Sequence, residues 1–223
     1  MARPTAATAK PPAASAAVAA PLLYAALRAP VRAALEGLFG LTVEGREHVP
    51  EAGPYIVAAN HHNYLDGVVL GVTLPQPVAF LVMPRVYRAT PLHPLFHRHI
   101  GSIPIDLDRT GPEALRRALD ALAAGRVVGI FPEGPFSVCG RLEPGLPGVG
   151  LLALRSGVPV VPAGIRGTYE ALVDRRFYVP RPHPLRVRFG PARRFAPSAF
   201  GDRRVARRQV TERIMADIAG LLA

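Results

Sequence analysis

One cysteine, one lysine and no tryptophan occur in this chain of 223 residues. The lone Cys139 excludes an internal disulfide framework and fits a reducing, cytosolic setting. A catalytic thiol needs a nearby base and a lowered pKa. The residues around Cys139 supply neither, so it is read as inert. No GxSxG elbow is present, which leaves no obvious serine nucleophile. No apolar run reaches the length of a spanning helix. Nor is there a convincing signal peptide: the first long apolar stretch is broken by Pro21, Arg28, Pro30 and Arg32. A nucleic-acid partner is not expected, because no aromatics alternate with the arginines to form a stacking surface.

What the chain has in excess is positive charge. The net charge is +11, and Lys10 is the only lysine, so nearly all of it is arginine. A compositional habit explains arginine in place of lysine but not the excess itself. Two anionic partners remain open, an anionic membrane surface and an acidic carrier protein.

Hydrophobic residues make up 49% of the chain, enough for one substantial core. Residues 1–15 are rich in Ala, Pro, Thr and Ser and read as a disordered tail. Residues 16–40 read as an amphipathic helical segment, kinked or split at Pro30. Leu22/Leu23, Ala26/Leu27, Val31, Ala34/Leu35 and Leu38/Phe39 form its apolar stripe, and Arg28, Arg32 and Glu36 its polar one. That stripe either docks on the core or lies in a membrane interface, and the basic charge favours the interface.

Residues 41–223 alternate in period. Strands are expected at 42–43, 55–59, 78–83, 102–105, 127–131, 158–165 and 185–189. Helices are expected at 67–74, from a capping box at Thr110 to Glu113 as far as Gly125, at 145–156, and from Arg203 to Leu222. In the last of these Val205, Ile214, Ile218 and Leu221/Leu222 should face inward, with Arg203, Arg204, Arg207 and Arg208 forming a basic patch. The expected fold class is α/β, a mixed and largely buried central sheet flanked by helices, with the N-terminal amphipathic segment appended.

The chemistry concentrates in Asn60-His61-His62-Asn63-Tyr64-Leu65-Asp66, just after the apolar run 55–59. A strand ending there presents His61 at its mouth. Asp66 opens the next apolar run and can reach back to one imidazole nitrogen, leaving the other to take a proton from a hydroxyl. A surface histidine beside a helix-capping aspartate has the same spacing, so the pair alone does not decide. His62 is the alternative base. Downstream stand Gly101 to Asp106, Phe131-Pro132-Glu133-Gly134 after an apolar strand, and Val158-Pro159-Val160-Val161-Pro162.

These four blocks, in this order, resemble the glycerolipid acyltransferase family, typified by 1-acylglycerol-3-phosphate acyltransferases, over roughly residues 40 to 195. The resemblance implies an O-acyltransferase that moves a fatty acyl group from an acyl-CoA or acyl-carrier-protein thioester to a lysophospholipid hydroxyl. No cofactor and no metal are expected. It assigns His61 as base and Asp66 as its orienting carboxylate. Glu133 and Gly134 are expected to hold the acceptor through a carboxylate and free backbone N–H groups. The expected location is the cytoplasmic face of the cell membrane, bound peripherally or monotopically.

The departures from the family pattern bear on the acceptor. Relatives end the second block in Asp-Arg; here Leu107 follows Asp106 and the arginine comes later, at Arg109. Arg85 stands near a position where relatives tend to have lysine. Pro135-Phe136-Ser137 replaces the usual Thr-Arg, so Phe136 occupies a place where relatives carry a phosphate-binding arginine. Arg85, Arg109, Arg141 and Arg166 are the arginines that remain to bind a phosphate, and a neutral acceptor stays open. A lipid-directed hydrolase and a non-catalytic lipid-binding protein are the rival readings. His93, His97 and His99 are spaced for a metal, but prolines interrupt them and no carboxylate joins them, so a loop is expected. Gly145-x-x-Gly148-x-Gly150 lacks a P-loop lysine and reads as close packing or a turn.

Overall fold

A computed structural model describes residues 22–82, 102–104, 112–172, 180–196 and 202–223. Within them the strands are β1 (Thr42–Glu44), β2 (Tyr55–Ala59), β3 (Val78–Val82), β4 (Ile103–Pro104), β5 (Val127–Ile130), β6 (Val160–Arg166) and β7 (Arg186–Phe189). The helices are α1 (Leu22–Phe39), α2 (Leu65–Thr73), α3 (Pro112–Ala123), α4 (Gly148–Ser156), α5 (Thr168–Ala171) and α6 (Arg203–Leu221). A 3₁₀ turn at Arg46–His48 and the short α5 have no counterpart in the sequence reading.

The strands form one mixed sheet in the order β1-β7-β6-β2-β5-β3-β4. All neighbours are parallel except β6 and β7. The central strands β2, β5 and β6 are apolar on both faces, as a parallel strand covered on both sides must be. Tyr55, Val57, Ala59, Val161, Ala163 and Ile165 pack with α1 and α2 in one layer. Ile56, Ala58, Val128 and Val160 pack with α3, α4 and α6 in the other. Arg166 follows Ile165 by one residue, so strand alternation turns it away from the α2 layer, and it is exposed.

Two glycines of the 145–150 stretch serve packing. A Cβ on Gly150 would lie 2.3 Å from the carbonyl oxygen of Arg207, and one on Gly145 would lie 2.7 Å from Met215 Cγ. Both let α4 and its leading loop close on α6. In α6 the buried row is Ala206, Val210, Thr211, Ile214 and Ile218. Val205, expected inward, is exposed, because the 3.6-residue repeat that buries Ile214 and Ile218 passes through 210 and 206 instead. Asp202 caps α6 by accepting from the Arg204 and Val205 amides.

α1 departs most from expectation. It is one helix running through Pro30, and the Ala26 carbonyl that loses its partner there belongs to an exposed residue. Its expected apolar stripe is divided between two sides. Val31, Leu35 and Phe39 face the core. The Tyr24 hydroxyl donates to the Gly71 carbonyl, and Arg28 donates to the carbonyls of Leu74 and Pro75. The guanidinium thus meets the negative, C-terminal end of α2. Leu22 (88% exposed), Leu38 (65%), Leu23 and Leu27 face outward instead. No helix among the described residues is long and apolar enough to cross a membrane.

Candidate active site

Asn60, the first residue beyond β2, is fully buried and extends the sheet with its side chain. Its Nδ2 donates to the Ile165 carbonyl at 2.9 Å, and its Oδ1 accepts from the Ile165 N–H at 2.7 Å. The amide side chain thus replaces one rung of the β2–β6 ladder and fixes where the chain leaves the sheet.

His61 comes next and is held at the backbone and at the ring. Its N–H donates to Glu133 Oε1 at 2.7 Å, and its carbonyl accepts from the Ser137 N–H at 2.8 Å. Its ring stacks on Phe131 at 3.7 Å between centroids and 4° between planes, and meets the edge of Phe136 at 4.4 Å. Phe80 lies parallel beyond Phe131. One aromatic column therefore sets the plane of the imidazole.

Nδ1 of His61 lies 2.9 Å from Asp66 Oδ2. The same oxygen accepts the N–H groups of His62 (2.7 Å) and Asn63 (2.8 Å). Asp66 sits fully buried in the first turn of α2, where the helix dipole favours a carboxylate. Burial by itself pushes the Asp66 carboxyl up. The hydrogen bond and charge of His61, the Thr168 hydroxyl and the Asn63 amide outweigh it and hold the carboxyl below the usual range. An ionised Asp66 accepts only, so His61 carries its proton on Nδ1 and Nε2 keeps a lone pair.

His62 is buried as well, but its partner differs. Its Nδ1 lies 3.3 Å from Thr168 Oγ1, and its ring meets the edge of Tyr169. Burial lowers its pKa, against the charges of Asp66 and Glu170. Asn63 is anchored by donating to the Thr168 carbonyl at 2.6 Å. Thr168 thus braces the loop from the end of β6, a contact across 105 residues that no local pattern announces.

The third block supplies structure around His61. Glu133 is buried; its Oε1 takes the His61 amide and its Oε2 the Glu143 amide, the latter at 2.6 Å. Burial raises its pKa to about 6, against the pull of those two amides. Gly134 has φ +81° and donates its N–H to the Phe131 carbonyl at 3.0 Å. The positive φ favours glycine there, and a Cβ would also meet the end of the Leu146 side chain at 2.8 Å. The carboxylate and the N–H expected to face an acceptor are thus already engaged within the protein.

Arg85, Arg109 and the His93, His97 and His99 group lie outside the described residues. Arg141 and Arg166 are exposed, and neither is brought to His61 by a contact among the described residues. Cys139 is exposed, with its Sγ 3.2 Å from Glu143 Oε1. Among the described residues no group of histidine, cysteine and carboxylate side chains is arranged for a metal ion.

A family model described as Acyltransferase matches residues 40–166, more than half of the chain, with His61, Asp66 and Glu133 inside the match. The chain belongs to the acyltransferase family. It is 26% identical over 132 residues to a 1-acyl-sn-glycerol-3-phosphate acyltransferase of Bacillus subtilis, covering 57% of this chain and 63% of that protein. It is 31% identical over 129 residues to a chloroplastic 1-acyl-sn-glycerol-3-phosphate acyltransferase of Brassica napus, covering 56% and 37%. The chain therefore spans less than two thirds of the length of either relative. The fold matches the crystal structure of PlsC, the 1-acyl-sn-glycerophosphate acyltransferase of Thermotoga maritima, with a TM-score of 0.73. That match covers 90% of this chain and 80% of that one at 24% identity. The mixed α/β fold expected from the sequence is the fold observed.

Proposed function

We propose that this acyltransferase moves a fatty acyl group from a thioester to a lysophospholipid hydroxyl, with His61 as general base. The observation that carries the reading is the His61–Asp66 pair at 2.9 Å, with the imidazole plane and tautomer both fixed. His61 Nε2 takes the proton of the acceptor hydroxyl as its oxygen attacks the thioester carbonyl. The new C–O bond forms, the C–S bond breaks, and the imidazolium returns its proton to the departing thiolate. Asp66 stabilises that imidazolium without taking its proton. No acyl-enzyme and no cofactor are needed, and the donor is an acyl-CoA or an acyl carrier protein.

The names of the relatives favour 1-acylglycerol-3-phosphate as acceptor. Arg85 and Arg109 are the cations proposed to meet its phosphate, as no contact among the described residues brings Arg141 or Arg166 to the site. Phe136, edge-on to His61, supports a second acceptor class, an alcohol with apolar surroundings. Mass spectrometry of the lipids formed from one labelled thioester and a panel of lysolipids and neutral alcohols decides between them. Esterification of the phosphorylated lysolipid ahead of the alcohols supports the first class, and the reverse order supports the second.

Membrane attachment at the cytoplasmic face, without spanning, completes the proposal. The outward leucines of α1 support it, since a helix that turns Leu22, Leu27 and Leu38 to the outside and Arg28 to the inside suits an apolar surface. Deleting the first 40 residues is a poor test, because Leu35 and Phe39 belong to the core. The double variant Leu22→Asp/Leu38→Asp leaves those contacts intact. Each leucine side chain is worth about 1.5–3 kcal/mol on burial, so vesicle affinity should fall tenfold or more. Unchanged sedimentation with anionic vesicles would remove α1 from the membrane contact.

A further inference from the structure

We propose that Glu133 is a positioning residue that sets the place of the catalytic histidine through its backbone, and does not hold the acceptor. The inference deepens the acyl-transfer reading and rests on it.

The geometry is a two-ended clamp. One carboxylate oxygen takes the N–H of His61 at 2.7 Å and the other the N–H of Glu143 at 2.6 Å. From the other side the His61 carbonyl is taken by the Ser137 N–H at 2.8 Å. Both backbone groups of His61 are therefore tied to the 133–137 segment. That segment also carries Phe136, and it follows Phe131, the ring stacked on the imidazole. Displacing Glu133 releases the His61 amide while Asp66 still holds the ring, so the pair stays together and moves as a unit. The reacting nitrogen is then misplaced relative to an acceptor that binds as before. A shift of about 1 Å at a reacting atom can cost about 10²-fold in rate.

Only an ionised carboxylate accepts at both ends. A protonated Glu133, or a glutamine, puts a donor against one of the two amides. Burial raises the Glu133 pKa to about 6, so the clamp is complete above that pH and is lost as pH falls through it. The titratable groups facing Glu133 are Asp66 and Glu143, whose charges act in the same direction as burial, and His61 across the amide bond. The clamp and the base must both be deprotonated for turnover.

Glu133→Gln tests this by steady-state kinetics, with the acceptor varied at saturating thioester. The expected result is a fall in kcat of on the order of 10- to 100-fold, with the KM for acceptor changed by less than about threefold. The wild-type acid limb should be steeper than one proton allows, and the variant's limb should fall to a single-proton slope. A rise of tenfold or more in acceptor KM at retained kcat would overturn the proposal in favour of acceptor binding. Unchanged kcat and KM would overturn it outright. The intact protein provides a test that needs no variant: between about pH 5 and 7 its acceptor KM should stay level while kcat falls. For an acceptor with no group that titrates in that range, a KM rising as pH falls would contradict the clamp. Wild-type protein that forms no ester from any thioester breaks the underlying acyl-transfer reading instead.

Discussion

His61 and His62 are adjacent, both buried, and both leave the end of the same strand. They differ in what they touch. His61 has a buried carboxylate on Nδ1, a parallel phenyl ring under its face and its backbone tied at both groups. His62 has a threonine hydroxyl at 3.3 Å and a tyrosine edge. A carboxylate stabilises an imidazolium; a hydroxyl does so far less, and burial keeps His62 neutral. Asp66 meets both residues, but it offers His61 a ring contact and His62 only a backbone one. Fitness to act as base thus follows from the partner rather than from proximity to the site.

The largest effect that can break this comparison is loss of the proposed base. His61→Ala should lower turnover by about 10²- to 10⁴-fold with the fold retained, whereas His62→Ala should cost less than about tenfold. Circular dichroism and initial rates on both variants check it, and a reversal would make His62 the base. Asp66→Asn should follow, with a loss on the order of 10². Its amide oxygen, in the place of Oδ2, still accepts from the His62 and Asn63 N–H groups and from His61 Nδ1, but it carries no charge, so the imidazolium of His61 is less stabilised. The imidazole nitrogen shifts in an NMR spectrum would show that change directly. Thr168→Val should be the smallest of the three. It removes one hydroxyl beside His62 and Asp66 while keeping volume, for about 1 kcal/mol or roughly fivefold in rate. A loss as large as that of Asp66→Asn would mean that His62 and Thr168 belong to the proton path.

Much of this was legible in the sequence, for reasons that differ by element. Strands β2, β5 and β6 announced themselves as apolar runs because both sheet faces are covered. The His61–Asp66 contact was legible because one turn of chain places the two residues together. The contacts of Glu133 were not: its partners are amides 72 residues before it and ten after it, and an amide carries no sequence signature. Thr168 was hidden in the same way. The orientation of α1 was not legible, because its polar stripe includes Arg28, which the free carbonyls at the C-terminal end of α2 draw inward.

The central claim is direct transfer from thioester to hydroxyl with histidine as base and no covalent intermediate. Its most direct test uses full-length protein and one isotope-labelled acyl thioester, with and without the preferred lysolipid. Ester, free fatty acid and thiol are quantified, and the intact protein mass is recorded. The expected result is thiol release that requires the acceptor, matches ester formation mole for mole, leaves the protein mass unchanged and disappears in His61→Ala. Fatty acid and thiol released at the same rate without acceptor, or label retained on the protein, would contradict it.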